Sequence, residues 1–254
     1  MQRSGVLLGI AGAAFLVFLI ASVPATLISR LAPDELKISN PRGSLWSGEA
    51  SAIRFGSVRL GQTRWKLQPL RLLLGSLAGE IDASLPDGFA RGNFELGLGG
   101  SIALSDFTAA SPLANLVASL GTSLPINEGQ LTLELQALNI EDGWPTRAVG
   151  DIRIGDVALV FRDGRPVPDQ AASFLLSLAA EDVPEDGTLQ GSISDQGGPL
   201  EMVGELRLTP PTNYELSGSA KPRPGAPQEL GNALVMLGPE NASGGRDFTF
   251  AGSL

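Results

Sequence analysis

Apolar and polar residues alternate with a period of two along most of this chain, and turn residues interrupt the alternation at short intervals. The pattern runs through Glu49–Leu60, Gln62–Pro69, Gly79–Leu85, Arg91–Leu98 and Ser101–Phe107. It resumes in Gly129–Leu138, Ala148–Phe161, Thr188–Ser194, Leu200–Leu208, Asn213–Ala220 and Asp247–Leu254. A period of two puts successive side chains on opposite faces of an extended chain, so these eleven segments predict strands, each with one wet face. Pro86-Asp87-Gly88, Gly99-Gly100, Asp142-Gly143, Asp163-Gly164, Glu185-Asp186-Gly187 and Gly197-Gly198 supply the turns between them. Gly and Pro, 32 and 18 of the 254 residues, argue against a helical bundle. Two stretches leave the pattern. Ser111–Leu120 opens with Ser-Pro and stops at Gly121, and Pro227–Leu237 sets Leu230, Leu234 and Leu237 on one helical face, so each predicts a short helix covering the sheet. Leu70–Leu77 is apolar but too short to assign. The Pro-rich run Ala220–Pro227 reads as a loop.

The first thirty residues follow a different rule. No charge interrupts Ser4–Ser29, and the 19 residues from Gly5 to Val23 are long enough, at about 1.5 Å each, to approach the roughly 30 Å hydrocarbon core of a bilayer. Val6, Leu7, Leu8, Ile10, Phe15, Leu16, Val17, Phe18, Leu19 and Ile20 would face lipid. The alternative is a cleaved secretory signal, with Arg3 as its positive start and Val23-Pro24-Ala25 as a loose cleavage site; the length of the apolar run and Pro24 weigh against it. Residues 1–30 therefore read as a membrane anchor with a short cytoplasmic start, and Arg3 ahead of the span puts residues 31–254 on the exported side as one β-rich domain.

Composition removes whole classes of function. With no Cys and no His, the chain has no disulfide, no thiolate or imidazole metal site, no thiol nucleophile and no Ser-His-Asp triad. Lys37, Lys66 and Lys221 follow Leu, Trp and Ala, so there is no P-loop; Gly97-Leu98-Gly99 lacks the last glycine of a dinucleotide fingerprint; and no nucleophile elbow is present. Glu80 and Asp82 share a strand face, as an exposed sheet face also predicts, and Glu181, Asp182, Glu185 and Asp186 lack the rhythm of a calcium loop. The expectation is a protein that is not an enzyme and takes no cofactor, metal or nucleotide. Without Arg3 and Arg30, 16 basic residues face 27 acidic ones, which repels nucleic acid.

Gly43-Ser44-Leu45-Trp46-Ser47-Gly48 followed by Leu60, then Trp65-Lys66-Leu67-Gln68-Pro69 and Leu73-Leu74-Gly75, form an ordered set of short motifs. Ala110-Ser111-Pro112-Leu113, Pro125 with Gly129, Gly143-Trp144-Pro145 and Gly150 continue it. Gly197-Gly198-Pro199-Leu200, Tyr214, Pro222-Arg223 and Leu237-Gly238 complete it. In this order the sequence resembles the type II secretion system protein N family, also called general secretion pathway protein N, over nearly its whole length. It departs from the family after Gly150, where Ile152 and Ile154 stand in place of a tryptophan. The resemblance implies a single-pass protein of the inner membrane of Gram-negative bacteria with a periplasmic β-rich domain. Its partners would be other inner-membrane components of the machine that exports folded proteins across the outer membrane, with membrane lipid at the anchor.

The expected fold is mainly β: an N-terminal transmembrane helix, then one long, curved, mostly antiparallel sheet, AsmA-like or sandwich-like, with two short helices. Trp46 and Trp65 are expected on neighbouring strands and one face, with Gly43 and Gly48 bracketing a turn. Trp46, Trp65 and Trp144 read first as core and second as a docking surface. Two functions remain: an accessory scaffold of the secretion machine, and an AsmA-like periplasmic module that handles lipid or maintains the envelope. A filled sandwich interior favours the first and a continuous apolar groove the second.

Overall fold

A computed structural model describes residues 24–27, 36–55, 58–115, 129–160, 166–184 and 186–253. The strands are β1 (Leu36–Ser39), β2 (Arg42–Gly43), β3 (Ser47–Ala50), β4 (Ala52–Phe55), β5 (Val58–Leu60), β6 (Thr63–Leu67), β7 (Ser76–Leu85) and β8 (Gly88–Gly97). They continue as β9 (Ile102–Pro112), β10 (Gln130–Glu141), β11 (Trp144–Val160), β12 (Pro166–Ala180), β13 (Leu189–Asp195), β14 (Leu200–Thr209), β15 (Asn213–Pro222) and β16 (Arg246–Ser253). Thirteen of them form one sheet in the order β16 down to β6, then β3 and β2; β1, β4 and β5 form a small separate sheet. The described pairings are antiparallel, and from β6 to β16 every strand lies beside its neighbour in sequence, as short turns require. Asp142 and Gly143, with φ of 51° and 78°, make the two-residue turn between β10 and β11, where both central residues must be left-handed.

The register explains the alternation. Ala50, Thr63, Ala83, Ala90 and Ala109 stand opposite one another on β3 and β6–β9. The same row continues through Leu133, Ile152, Leu176 and Ile193 to Gly204, Gly218 and Phe248 without one charge. Thr63 and Ala83 are buried at one end of this face, where β5 packs against β7. At the other end α2 (Gln228–Leu234), continued by a 3-10 turn over Val235–Leu237, packs Leu230 and Leu234 against Phe248 and Ala220. Between them, Leu133, Ile152, Leu176 and Ile193 are only half-buried.

Several expectations need correction. A sandwich is not seen: among the described residues no second sheet of comparable size covers the first. Ser111 and Pro112 are not a helix cap and first turn; they end β9 and pair with Leu131 and Gln130. Helical residues begin at Leu113, and the rest of that stretch lies outside the described residues. Glu49–Leu60 breaks into β3, β4 and β5 rather than one strand. No period announces β12, because its Ser173–Ala180 portion, SFLLSLAA, sits between two paired strands and carries Leu175 and Ala179 on the same parity as Ser173 and Ser177, which blurs the alternation. Leu70–Leu77 divides into the one-turn helix α1 (Pro69–Leu72) and the start of β7. The anchor residues Val6 to Ile20 lie outside the described residues, among which no helix is long and apolar enough to cross a membrane.

Candidate docking surfaces

The face opposite the apolar row is built of charges. Arg42, Glu49, Arg64, Asp82 and Arg91 stand opposite one another on β2, β3, β6, β7 and β8, alternating in sign, and the row goes on through Thr108, Glu134 and Asp151. Arg153 pairs with both of the last two, with Nη1 3.0 Å from Glu134 and Nη2 3.3 Å from Asp151. A groove of about 730 Å³ lies on this side, lined among others by Arg42, Arg64, Glu80, Asp82 and Arg91. Glu80 and Asp82 sit there opposite Lys66 with Asn93 and Arg64 with Arg91 respectively, so each carboxylate belongs to the charge ladder. Such exposed pairs contribute about 0–1 kcal/mol each. In the acidic stretch after β12, Glu181 pairs with Arg147, the Asp186 carboxylate caps the Thr188 N–H at 3.0 Å, and Glu185 lies outside the described residues.

The three tryptophans are half-buried; Trp46 and Trp65 lie at the β3–β6 pairing, and Trp144 stands apart from them. Trp65 lies on the apolar face opposite Gly48, and its indole N–H donates to the Leu45 carbonyl at 3.0 Å. A Cβ on Gly48 would fall 2.5 Å from the Trp65 ring, so only glycine leaves room for it. Gly43, at φ 86°, makes the turn into β3. Trp46 lies next to β3, its carbonyl accepting the Leu67 N–H at 2.6 Å. Trp144 sits on β11, five strands from the β6 that carries Trp65, where its indole donates to the Gly187 carbonyl at 2.6 Å and ties two turns together.

A half-buried ion pair fastens the far end of the apolar face. The Asp195 carboxylate accepts from Arg223 Nη2 at 2.6 Å, the Met202 N–H at 3.0 Å and the Gly197 N–H at 3.1 Å. Burial raises its pKa, but those hydrogen bonds and the Arg223 charge outweigh it, holding the group below the ordinary carboxylate range. Arg223 also donates to the carbonyls of Gly198 and Leu200, so the loop leading into α2 is pinned to the β13–β14 turn.

The two edges of the large sheet differ. At one edge β2 is two residues long and Ser44 just beyond it bridges Pro24. At the other, β16 is eight residues long, and among the described residues polar contacts from outside the sheet reach only its first two residues, Arg246 from Glu240 and Gly238, and Asp247 from Asn241. No described residue pairs with the outer side of Phe248–Ser253, a run with neither charge nor proline. Phe250 there is half-exposed and packs beside Phe248, ring centroids 5.7 Å apart. Sequence alone points neither to this edge nor to the exposed Leu70, Leu73, Leu74 and Leu98; the only signal is a cluster of leucines without a period.

The family described as Type II secretion system (T2SS), protein N, matches residues 34–249. Type II secretion system protein N of Aeromonas hydrophila is 26% identical over 239 residues, covering 91% of both chains. The protein of that name from Vibrio cholerae is 25% identical over 231 residues, covering 87% of this chain and 86% of the relative. That from Klebsiella pneumoniae is 25% identical over 242 residues, covering 91% and 89%. No solved structure matches. The match spans almost the whole described sheet, from the β1 region to β16, and on it the chain belongs to the type II secretion system protein N family.

Proposed function

We propose that the chain is an inner-membrane-anchored accessory scaffold of the type II secretion system. Residues 1–30 hold it in the membrane, and residues 31–254 join partners in the periplasm through the open β16 edge. The observation that carries this reading is the asymmetry of the edges: a blunted β2 and an unguarded β16. Alternate residues of an edge strand offer free N–H and C=O groups, which an extended partner segment can pair. Confinement to one membrane raises the effective concentration of such partners without any further contact. Trp46, Trp65 and Trp144 serve packing in this reading, since two of the indoles are satisfied inside the chain.

A second reading is favoured by the uncharged row from Ala50 to Phe248, whose middle is only half-buried and offers an apolar surface to acyl chains. The same assay separates the two. Lysines at Thr249 and Ala251, both exposed, guard the edge and leave the apolar face alone. The scaffold reading expects secretion to fall about tenfold or more at normal protein abundance, as for a contact of about 1.4 kcal/mol or more. Undiminished secretion removes it, and loss with Ile152→Asp alone transfers the role to the apolar face.

A further inference from the structure

Four leucines at one end of the sheet face solvent: Leu70, Leu73 and Leu74 between β6 and β7 are 75%, 83% and 77% exposed, and Leu98 between β8 and β9 is 89% exposed. They are held in fixed backbone. The Leu73 N–H donates to the Leu70 carbonyl and the Gly75 N–H to that of Leu72, closing the α1 turn. The Leu98 N–H donates to the Gly75 carbonyl at 3.0 Å, which joins the two loops into one apolar knob.

The knob shares its end of the sheet with the entry of the chain. Pro24 bridges Ser44, Ala25 is buried, and the turn that follows Ser44 meets the end of β6, where the Leu67 N–H reaches the Trp46 carbonyl. With strands about 4.8 Å apart, this entry point is about 10 Å from the β6–β7 connection and roughly 20 Å from the β8–β9 turn. The uncharged, mostly apolar run of 19 residues from Gly5 to Val23 ends directly before Pro24. A chain leaving a bilayer at that point brings the leucines to its surface.

We propose that Leu70, Leu73, Leu74 and Leu98 form a second membrane contact, seated at the boundary between headgroups and acyl chains of the bilayer that holds residues 5–23. The inference rests on the anchor reading of those residues. Apolar side chains partition into that boundary, and the N–H groups of Leu73, Leu74, Gly75 and Leu98 are already donated to carbonyls within the loops. Glu141, Asp142, Glu181, Asp182 and Asp186 lie at the same end but on the β10–β13 side, so the contact is confined to the β6–β9 side and the sheet stands tilted on the membrane. Two contacts, a span and a knob, fix the rotation of the sheet as well as its distance from the lipid.

The chain has no Cys, so single-cysteine labelling is clean. Full-length Leu73→Cys and Asp87→Cys proteins, the second in the turn at the opposite end of β7, would carry an environment-sensitive fluorophore in phosphatidylethanolamine–phosphatidylglycerol vesicles. Lipids bearing a shallow nitroxide would quench it. The proposal expects quenching at position 73 at least about threefold that at 87, as for a side chain in the interface. Equal, weak quenching in protein that resists carbonate extraction overturns the contact and leaves the anchor standing. Protein released by carbonate overturns the anchor and the contact with it. Efficient disulfide formation between two copies of the unlabelled Leu73→Cys protein overturns the lipid contact in favour of a second copy of the chain.

Discussion

The α1 and α2 segments are both short, rich in leucine and joined to the sheet, and they end in opposite environments. Leu230 and Leu234 of α2, four residues apart, lie on one face of two turns and are buried against Phe248. α1 has a single turn, with no buried residue, and its leucines follow one another around the axis, so no one surface takes them all. Leucine content is similar; spacing and a waiting apolar partner decide which stabilises the fold and which is left for something outside it.

That contrast breaks first at Leu234. Leu234→Ala is expected to cost about 3 kcal/mol, because it empties a site closed by helix and sheet. A shift in the urea midpoint measures it, and an unchanged midpoint would mean that α2 is no better packed than α1.

A smaller effect is expected at the latch that delivers α2. Removing the carboxylate in Asp195→Ala costs about 2 kcal/mol at neutral pH, since Arg223 and two backbone N–H groups lose a charged acceptor. The folded pKa is depressed, so the stabilisation is fully present above the unfolded value of about 3.9 and fades as pH falls through the folded one. Unfolding of wild-type and variant protein at pH 7 and at pH 3 should show a gap that narrows in acid. A gap that is constant, or wider in acid, would remove the ion pair as its cause.

The smallest effect belongs to α1. Leu73→Ser should change stability by less than about 0.5 kcal/mol, as exposed positions do. A loss comparable to that of Leu234→Ala would show the knob packed within the protein and erase the contrast.

Much of the fold is legible residue by residue. Gly129–Leu138 and Leu200–Leu208 alternate cleanly and form β10 and β14, and the Leu230, Leu234 and Leu237 stripe forms α2 with its 3-10 continuation. Pro112 misleads because a Ser-Pro pair opens helices, whereas here it ends a strand whose pairing with Gln130 costs it no needed N–H. β12 hides because Leu175 and Ala179 share a parity with Ser173 and Ser177, so a strand between two others shows no clean period. The candidate surfaces are less legible. Trp65 is visible as a large apolar body, but its partners Leu45 and Gly48 follow from the pairing of β3 with β6.

Sequence by itself determined most of the strand-forming segments, though neither β12 nor the end of β9, with their polar and apolar faces, the apolar stretch before Pro24 and the exclusion of Cys and His chemistry. These depend on side-chain period and chemical inventory, which are local. Tertiary structure decided that the segments join one open sheet of thirteen strands, that β16 stands unguarded while β2 is blunted, and that Leu234 is buried while Leu73 is not. Period fixes which face a side chain takes; what covers that face is set by pairing between residues far apart in the chain, and no local pattern carries that information.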